Sequence, residues 1–159
     1  MSEEDPAMPK RSRLAAGLAG VAGEYFVAAE LSRQGYVASL TLKNTRGIDI
    51  LASNADATKS VGIQVKTNQG RRKEWILNAK IEKETASNLV FVFVCLNDLG
   101  APEYHIVPRA KVARYVAEDH KRWLSTPGRK GQPHKDNPVR KFADTENTYL
   151  NQWALLGLD

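Results

Sequence analysis

The sequence predicts an α/β fold, and three observations predict it. The segment Leu14 to Gln34 is rich in Ala and Leu and is followed by Gly35, the composition and ending of a helix. Two short segments, GIDILA (Gly47 to Ala52) and GIQVKT (Gly62 to Thr67), mix apolar and polar residues at the spacing of strands. The run LVFVFVCL (Leu89 to Leu96) is unbroken in its apolarity, as a strand buried on both faces requires.

The elements follow in chain order. Residues 1–13 are polar, interrupted by Pro6 and Pro9, and read as a disordered tail. The helix from Leu14 spans about six turns. On it Gly20, Glu24, Val27 and Leu31 share a face, so the Glu24 carboxylate sits among small and apolar residues, where it is costly unless paired or coordinated. Glu30 falls on another stripe and reads as an exposed charge. Tyr36 to Lys43, Ile48 to Ser53 and Ser60 to Thr67 read as three strands, with the polar connector SNADATK a hairpin-like loop between the second and third.

Side-chain alternation gives those strands their chemical content. Gln64 and Lys66 project opposite to Ile63 and Val65, and Asp49 opposite to Ile48 and Ile50. Neighbouring strands that bury their isoleucines together bring a carboxylate, an amide and an ammonium onto the other face. Those groups suit metal-assisted cleavage of a phosphodiester. Asp49 supplies the anionic oxygen that Mg²⁺ prefers, and one or two carboxylates suffice because water and phosphate complete the shell. Gln64 and the backbone carbonyl of Val65 add neutral oxygens. Lys66 is placed to orient or deprotonate the attacking water, or to offset charge on the phosphorane. The competing reading of Asp49 and Lys66 is that of solvated charges at the edges of a half-buried sheet.

Beyond the third strand, Asn68 to Trp75 reads as a loop whose Arg71, Arg72 and Lys73 can reach nucleic acid, with Trp75 an anchor in the core ahead of a base-stacking residue. Ile81 to Ser87 is a short helix. The strand Leu89 to Leu96 and a fifth strand, Glu103 to Pro108, come next, and then an amphipathic helix from Ala110 to Leu124. His105 reads as a packed or surface histidine. Tyr149 to Leu158 is too apolar for a free tail and is expected to pack on the core or to mediate a dimer.

Composition narrows the function class. The chain has 159 residues, enough for one core without staples, and a formal charge of +5. Between His120 and Lys141 seven basic residues, among them Arg129, Lys130, Lys135, Arg140 and Lys141, face the single acid Asp136. Interspersed prolines and glycines make this a cationic loop of the kind that neutralises phosphates, or otherwise a solvated connector. Cys95 is the sole cysteine, which precludes an internal disulfide and favours a reducing, cytoplasmic setting. Lys10 to Arg13 followed by an Ala- and Gly-rich stretch imitates a secretory signal, yet the pattern runs on into Glu24 as a helix. Phosphate-binding loops, C-x-x-C pairs, H-E-x-x-H helices and nucleophile elbows do not occur.

The order of a helix with Gly23-Glu24, a strand with Ile48-Asp49 and a strand with Gln64-Val65-Lys66 resembles the PD-(D/E)XK nuclease superfamily, including its Holliday-junction-cutting members. The resemblance covers residues 14–124. It implies the restriction-endonuclease-like fold, an αβββαβ core whose central mixed sheet is flanked by helices, with residues 126–159 as a basic loop and a C-terminal segment against it. It implies a bacterial-type endonuclease that uses Mg²⁺ or Mn²⁺ on DNA, with possible pairing into a homodimer. Asp49 then matches the motif aspartate, Lys66 the motif lysine and Glu24 the helix glutamate beside the metal. The catalytic set is Glu24, Asp49, Gln64 and Lys66; the metal would be held by Glu24, Asp49, Gln64 and the Val65 carbonyl. Ile48 replaces the motif proline without chemical consequence. Gln64 stands where the family usually has an acid, which weakens the hold on metal and carries the alternative of a non-catalytic module for nucleic-acid binding or protein interaction. An RNA-processing nuclease is a third reading.

Overall fold

The computed structural model describes residues 13–42, 47–83 and 88–159. Helix α1 (Ala16–Arg33) leads into strands β1 (Val37–Leu40), β2 (Ile50–Ser53) and β3 (Ser60–Asn68). Strand β4 (Glu74–Asn78) and a 3-10 turn (Ala79–Glu82) follow, then β5 (Leu89–Cys95), β6 (Glu103–Pro108), α2 (Arg109–Ser125), β7 (Val139–Ala143) and a last 3-10 turn (Trp153–Leu156). The main sheet has the order β1-β2-β3-β5-β6, and β4 pairs with β7 in a separate two-stranded sheet. In the main sheet β3 and β5 are parallel and every other pair is antiparallel, so the sheet is mixed.

A parallel pair needs a crossover, and residues 69–88 provide it with β4 and the 3-10 turn. Of the helix expected at Ile81 to Ser87, the described part is the end of that turn; residues 84–87 lie outside the described residues, as do residues 1–12 of the expected tail and Lys43 of the first strand. Two strands were not expected: β4 takes in Glu74 and Trp75 at the end of the loop expected at Asn68–Trp75 and runs on to Asn78, and β7 begins inside the basic segment. Their inward residues are Trp75 and Leu77 on one and Arg140 and Phe142 on the other, paired in register. Each strand alternates, but flanking cations and the inward Arg140 hide the pattern.

The sheet divides two cores. Ile63, Val65, Val90, Val92 and Val94 face α1, together with Val27, Leu31, Leu156 and Leu158. Phe91, Phe93 and Cys95 face α2 with Trp75, Val112, Val116 and Phe142. Strand β5 feeds both, which is why its seven residues are all buried. Burial pushes the Cys95 thiol up to about 11, so it stays protonated at neutral pH. Trp75 is a core anchor, its indole N–H donating to the Val94 carbonyl at 3.0 Å. Among the described residues no helix is long and apolar enough to cross a membrane.

Helix α1 buries Ala19, Gly23, Val27 and Leu31, a stripe one residue away from the one expected at its first two positions. It ends at Gln34, with Gly35 at φ +91° as a left-handed residue beyond the cap. Gly23 allows close approach to β3, since a Cβ there would stand 2.9 Å from the Thr67 Cβ. Gly23→Val is therefore expected to prise α1 from the sheet and cost about 3 kcal/mol by overpacking. Urea denaturation checks this, and an unchanged midpoint would show that the helix slides aside without cost.

Candidate active site

Strand β3 outruns its neighbour. Its pairing with β2 extends only from Ser53↔Ser60 to Ile50↔Ile63, whereas its pairing with β5 continues to Asn68↔Cys95. Beyond Ile63 the β2-side edge of β3 has no strand partner among the described residues. Asp49 occupies the first vacant rung. Its main-chain N–H donates to the Ile63 carbonyl at 2.8 Å, and its Oδ2 accepts the Val65 N–H at 2.7 Å. Because N–H and C=O of one strand residue point to the same edge, the Val65 carbonyl is directed to the side where Asp49 lies.

Asp49 and Ile50 both address Ile63, so this end of β2 carries one extra residue, a β-bulge. The consequence for Ile48 corrects the simple alternation. Its Cδ1 lies 3.4 Å from where a Gly62 Cβ would be, so Ile48 sits on the Gly62 face of β3 instead of beside Ile50. The bulge turns the Asp49 carboxylate onto the edge of β3.

The other expected residues distribute around that edge. Gln64 and Lys66 are half-buried and in register with Phe91 and Phe93, on the α2 side. The Gln64 Oε1 reaches toward Gly47, 3.9 Å from where its Cβ would be. Lys66 lines an open cleft of about 850 Å³ with Arg13, Ala19, Thr67, Arg72 and Glu74. Glu24 is half-buried on α1, which covers the opposite, Ile63 and Val65 face. Gln64 and Lys66 thus share the α2 side of β3, Asp49 lies at its edge and Glu24 is on the helix over the other face, where Asp49, Gln64 and Lys66 were expected to converge on one face. Of the four, Lys66 alone is in the wall of the cleft.

The donors at the edge are one carboxylate, one amide oxygen and one peptide carbonyl, all hard oxygens. This fits Mg²⁺, which takes few protein ligands and keeps water and phosphate. With Gln64 in place of an acid, the described residues contain no group of three or more His, Cys, Asp or Glu side chains that could hold a metal. Sequence reasoning missed Thr67, whose Oγ1 is buried without a hydrogen-bond partner beneath Gly23. Its position as the next residue after Lys66 is the only sequence signal for it.

Among the cations expected to meet nucleic acid, Arg71, Arg72, Arg129, Lys130 and Lys135 are exposed. Lys73 is half-buried, pairs with Glu103 at 3.4 Å and donates to Asn147. Arg140 is buried, pairs with Glu82 and donates to the carbonyls of Asn137 and Val139 at 2.7 and 3.0 Å. It faces inward because β7 alternates. Lys141 faces outward and pairs with Glu74 at 3.3 Å. His105 is fully buried with its Nδ1 2.7 Å from Asp144, a packed histidine.

No protein-family model matches the chain, and no curated protein matches it. Among solved structures it is similar to Hjc, a Holliday junction resolvase from Archaeoglobus fulgidus, an archaeal hyperthermophile, at 14% sequence identity and a TM-score of 0.51. The match covers 88% of this chain and 97% of that one. At that coverage the fold is restriction-endonuclease-like.

Proposed function

We propose that this chain is a divalent-metal-dependent nuclease that cleaves phosphodiester bonds in DNA. The observation that carries the reading is Asp49, held on the Val65 N–H at the unpaired edge of β3, one strand step from Lys66 in the open cleft. Mg²⁺ held by Asp49, Gln64 and the Val65 carbonyl, with Glu24 on the neighbouring helix, would supply Lewis-acid activation of the scissile phosphate. Lys66 orients water and offsets charge on the attacked phosphate. Arg72 lines the cleft, and Arg71, Arg129, Lys130 and Lys135 offer exposed charge to the backbone. The reducing, cytoplasmic setting rests on the unpaired Cys95. Pairing of two copies is supported by Leu18, Tyr25 and Phe26, exposed apolar side chains on α1.

A second reading, a nuclease-like module that binds without cutting, is favoured by Gln64. Cleavage assays separate the two. Lys66→Ala is expected to lower Mg²⁺-dependent cleavage by about 10²-fold or more while DNA binding persists, because it removes a contact made chiefly in the transition state. Gln64→Glu is expected to bind Mn²⁺ at least as tightly as the native chain. Linear duplex, single strand, structured RNA and, given the activity named for the structural neighbour, a four-way junction are the substrates to supply. Failure of both native protein and Gln64→Glu on all four, with binding retained, would establish the binding module.

A further inference from the structure

We propose that Asn68 is a positioning residue for this site: its side-chain amide fixes the loop 69–73 in the form that presents Arg72 to a phosphate of the DNA backbone in the Lys66 cleft. This rests on the nuclease reading above and adds a contact that sets substrate affinity. Strand β3 ends at Asn68 and β4 begins at Glu74, so residues 69–73 carry the chain from the main sheet to the small one. The Asn68 amide donates to the Arg72 carbonyl and, at 3.2 Å, to the Glu74 carbonyl. Both partners are acceptors only, which assigns the NH₂ group to them. The Cys95 thiol is directed at the same Arg72 carbonyl, 3.5 Å away.

The start of the loop is held from the side of β5. The N–H groups of Leu96, Asn97 and Asp98 donate to the carbonyls of Asn68, Gly70 and Gln69 at 2.9, 3.2 and 2.9 Å. Asn97 and Asp98 do so at φ of +51° and +60°, a left-handed pair that most side chains disfavour and that Asn and Asp tolerate best. Gln69 Oε1 in turn accepts the Leu14 N–H at 2.8 Å, which ties the loop to the chain leading into α1. A loop bonded in this way has little freedom left to lose when a ligand binds.

Placement and charge single out Arg72 within the loop. It is exposed, lines the cleft with Arg13 and Lys66, and has no acidic partner among the described residues. Arg71 is exposed but is not in the cleft wall, and Lys73 is paired with Glu103. Of the acids in the wall, Glu74 is engaged by Lys141 at 3.3 Å, which leaves Asp98 to face Arg13, Lys66 and Arg72. A cleft with that excess of positive charge takes an anion, and the anion of a nuclease substrate is its backbone phosphate.

The test is a double-mutant cycle on affinity, read by anisotropy without divalent metal on a fluorescein-labelled duplex and a four-way junction. Arg72→Ala is expected to weaken binding about eight-fold at ~0.1 M salt and to make the slope of log affinity against log salt shallower by about 0.9, the share of one phosphate. Asn68→Ala is expected to weaken binding about four-fold in the native background, less than about two-fold in the Arg72→Ala background, and by its full effect in an Arg71→Ala background. Asn68→Ser keeps one donor and should fall between, and it replaces Asn68→Ala in the cycle if urea denaturation finds the alanine variant unfolded. In cleavage with Mg²⁺, Asn68→Ala and Arg72→Ala should raise KM with kcat within about two-fold of native, whereas Lys66→Ala lowers kcat. Equal loss from Asn68→Ala in the native and Arg72→Ala backgrounds, no loss in either, or native affinity in Arg72→Ala overturns the positioning role and leaves the Lys66→Ala cleavage assay to judge the nuclease reading. So does a fall in kcat at unchanged KM in Asn68→Ala. A native protein that binds neither probe overturns both.

Discussion

Asp49→Asn should keep the native fold and lose the cation. The substituted amide oxygen can still accept the Val65 N–H, so the first rung of the β3 edge persists and stability should stay within about 1 kcal/mol of native. What disappears is the one negative charge among the three edge oxygens. Outer-shell partners of metal ligands already cost ~10–100-fold in affinity or activity, so removal of this ligand is expected to cost at least about 10²-fold in Mn²⁺ affinity and in cleavage. Asp49→Ala should lose the rung as well. It leaves the Val65 N–H without its charged acceptor and is expected to destabilise by about 1.5–3 kcal/mol. Calorimetry with Mn²⁺ and urea denaturation on both variants separate the two roles. Equal Mn²⁺ binding by the Asp49→Asn variant and the native protein would remove the metal from this edge; equal stability of the two variants would remove the structural role.

The residues proposed for this site stand out in the sequence because each is a local signal. Asp49 and the Gln64–Lys66 pair stand out within short alternating strands, and Glu24 within an apolar helix. Their arrangement was less legible. Alternation assumes one residue per rung, and the bulge at Asp49 breaks that assumption through a main-chain hydrogen bond to Ile63, on a different strand. The distribution of Glu24 and Lys66 over opposite faces of β3 depends on which face α1 covers, a property of packing that no local pattern carries. The cationic stretches misled for a related reason. Lys73 and Arg140 carry the same formal charge as Arg72 and Lys130, and only the folded chain shows that they pair with Glu103 and Glu82, Lys73 half-buried and Arg140 buried. By contrast β5, apolar at every position, and the Gly35 cap were readable directly, since burial on both faces and a left-handed backbone each constrain residue type locally.

The largest loss of stability is expected from Asp144→Ala. Asp144 is buried and its carboxylate accepts three donors: His105 Nδ1 at 2.7 Å and the N–H groups of Thr148 and Tyr149 at 2.9 Å each. Its own N–H donates to the Lys73 carbonyl at 3.0 Å. One side chain therefore ties β6, the end of β7 and the start of the C-terminal segment together. Truncation orphans all three donors, two of them main-chain groups. The expected cost is roughly 3–5 kcal/mol, because each buried donor left unsatisfied costs about 1–3 kcal/mol and relaxation recovers part of the sum. Much of it should come from His105, whose Nε2 already lacks a partner and whose ring lies 5.3 Å from Trp75 within an aromatic cluster. His105→Phe removes both ring nitrogens and keeps a ring against Trp75, so combining it with Asp144→Ala should cost less than the sum of the two single changes. Urea denaturation of the four proteins in this cycle measures the coupling. Strict additivity would mean that His105 and Asp144 stabilise the fold independently, and a cost below about 1 kcal/mol for Asp144→Ala would show that water reaches the three donors once the carboxylate is gone.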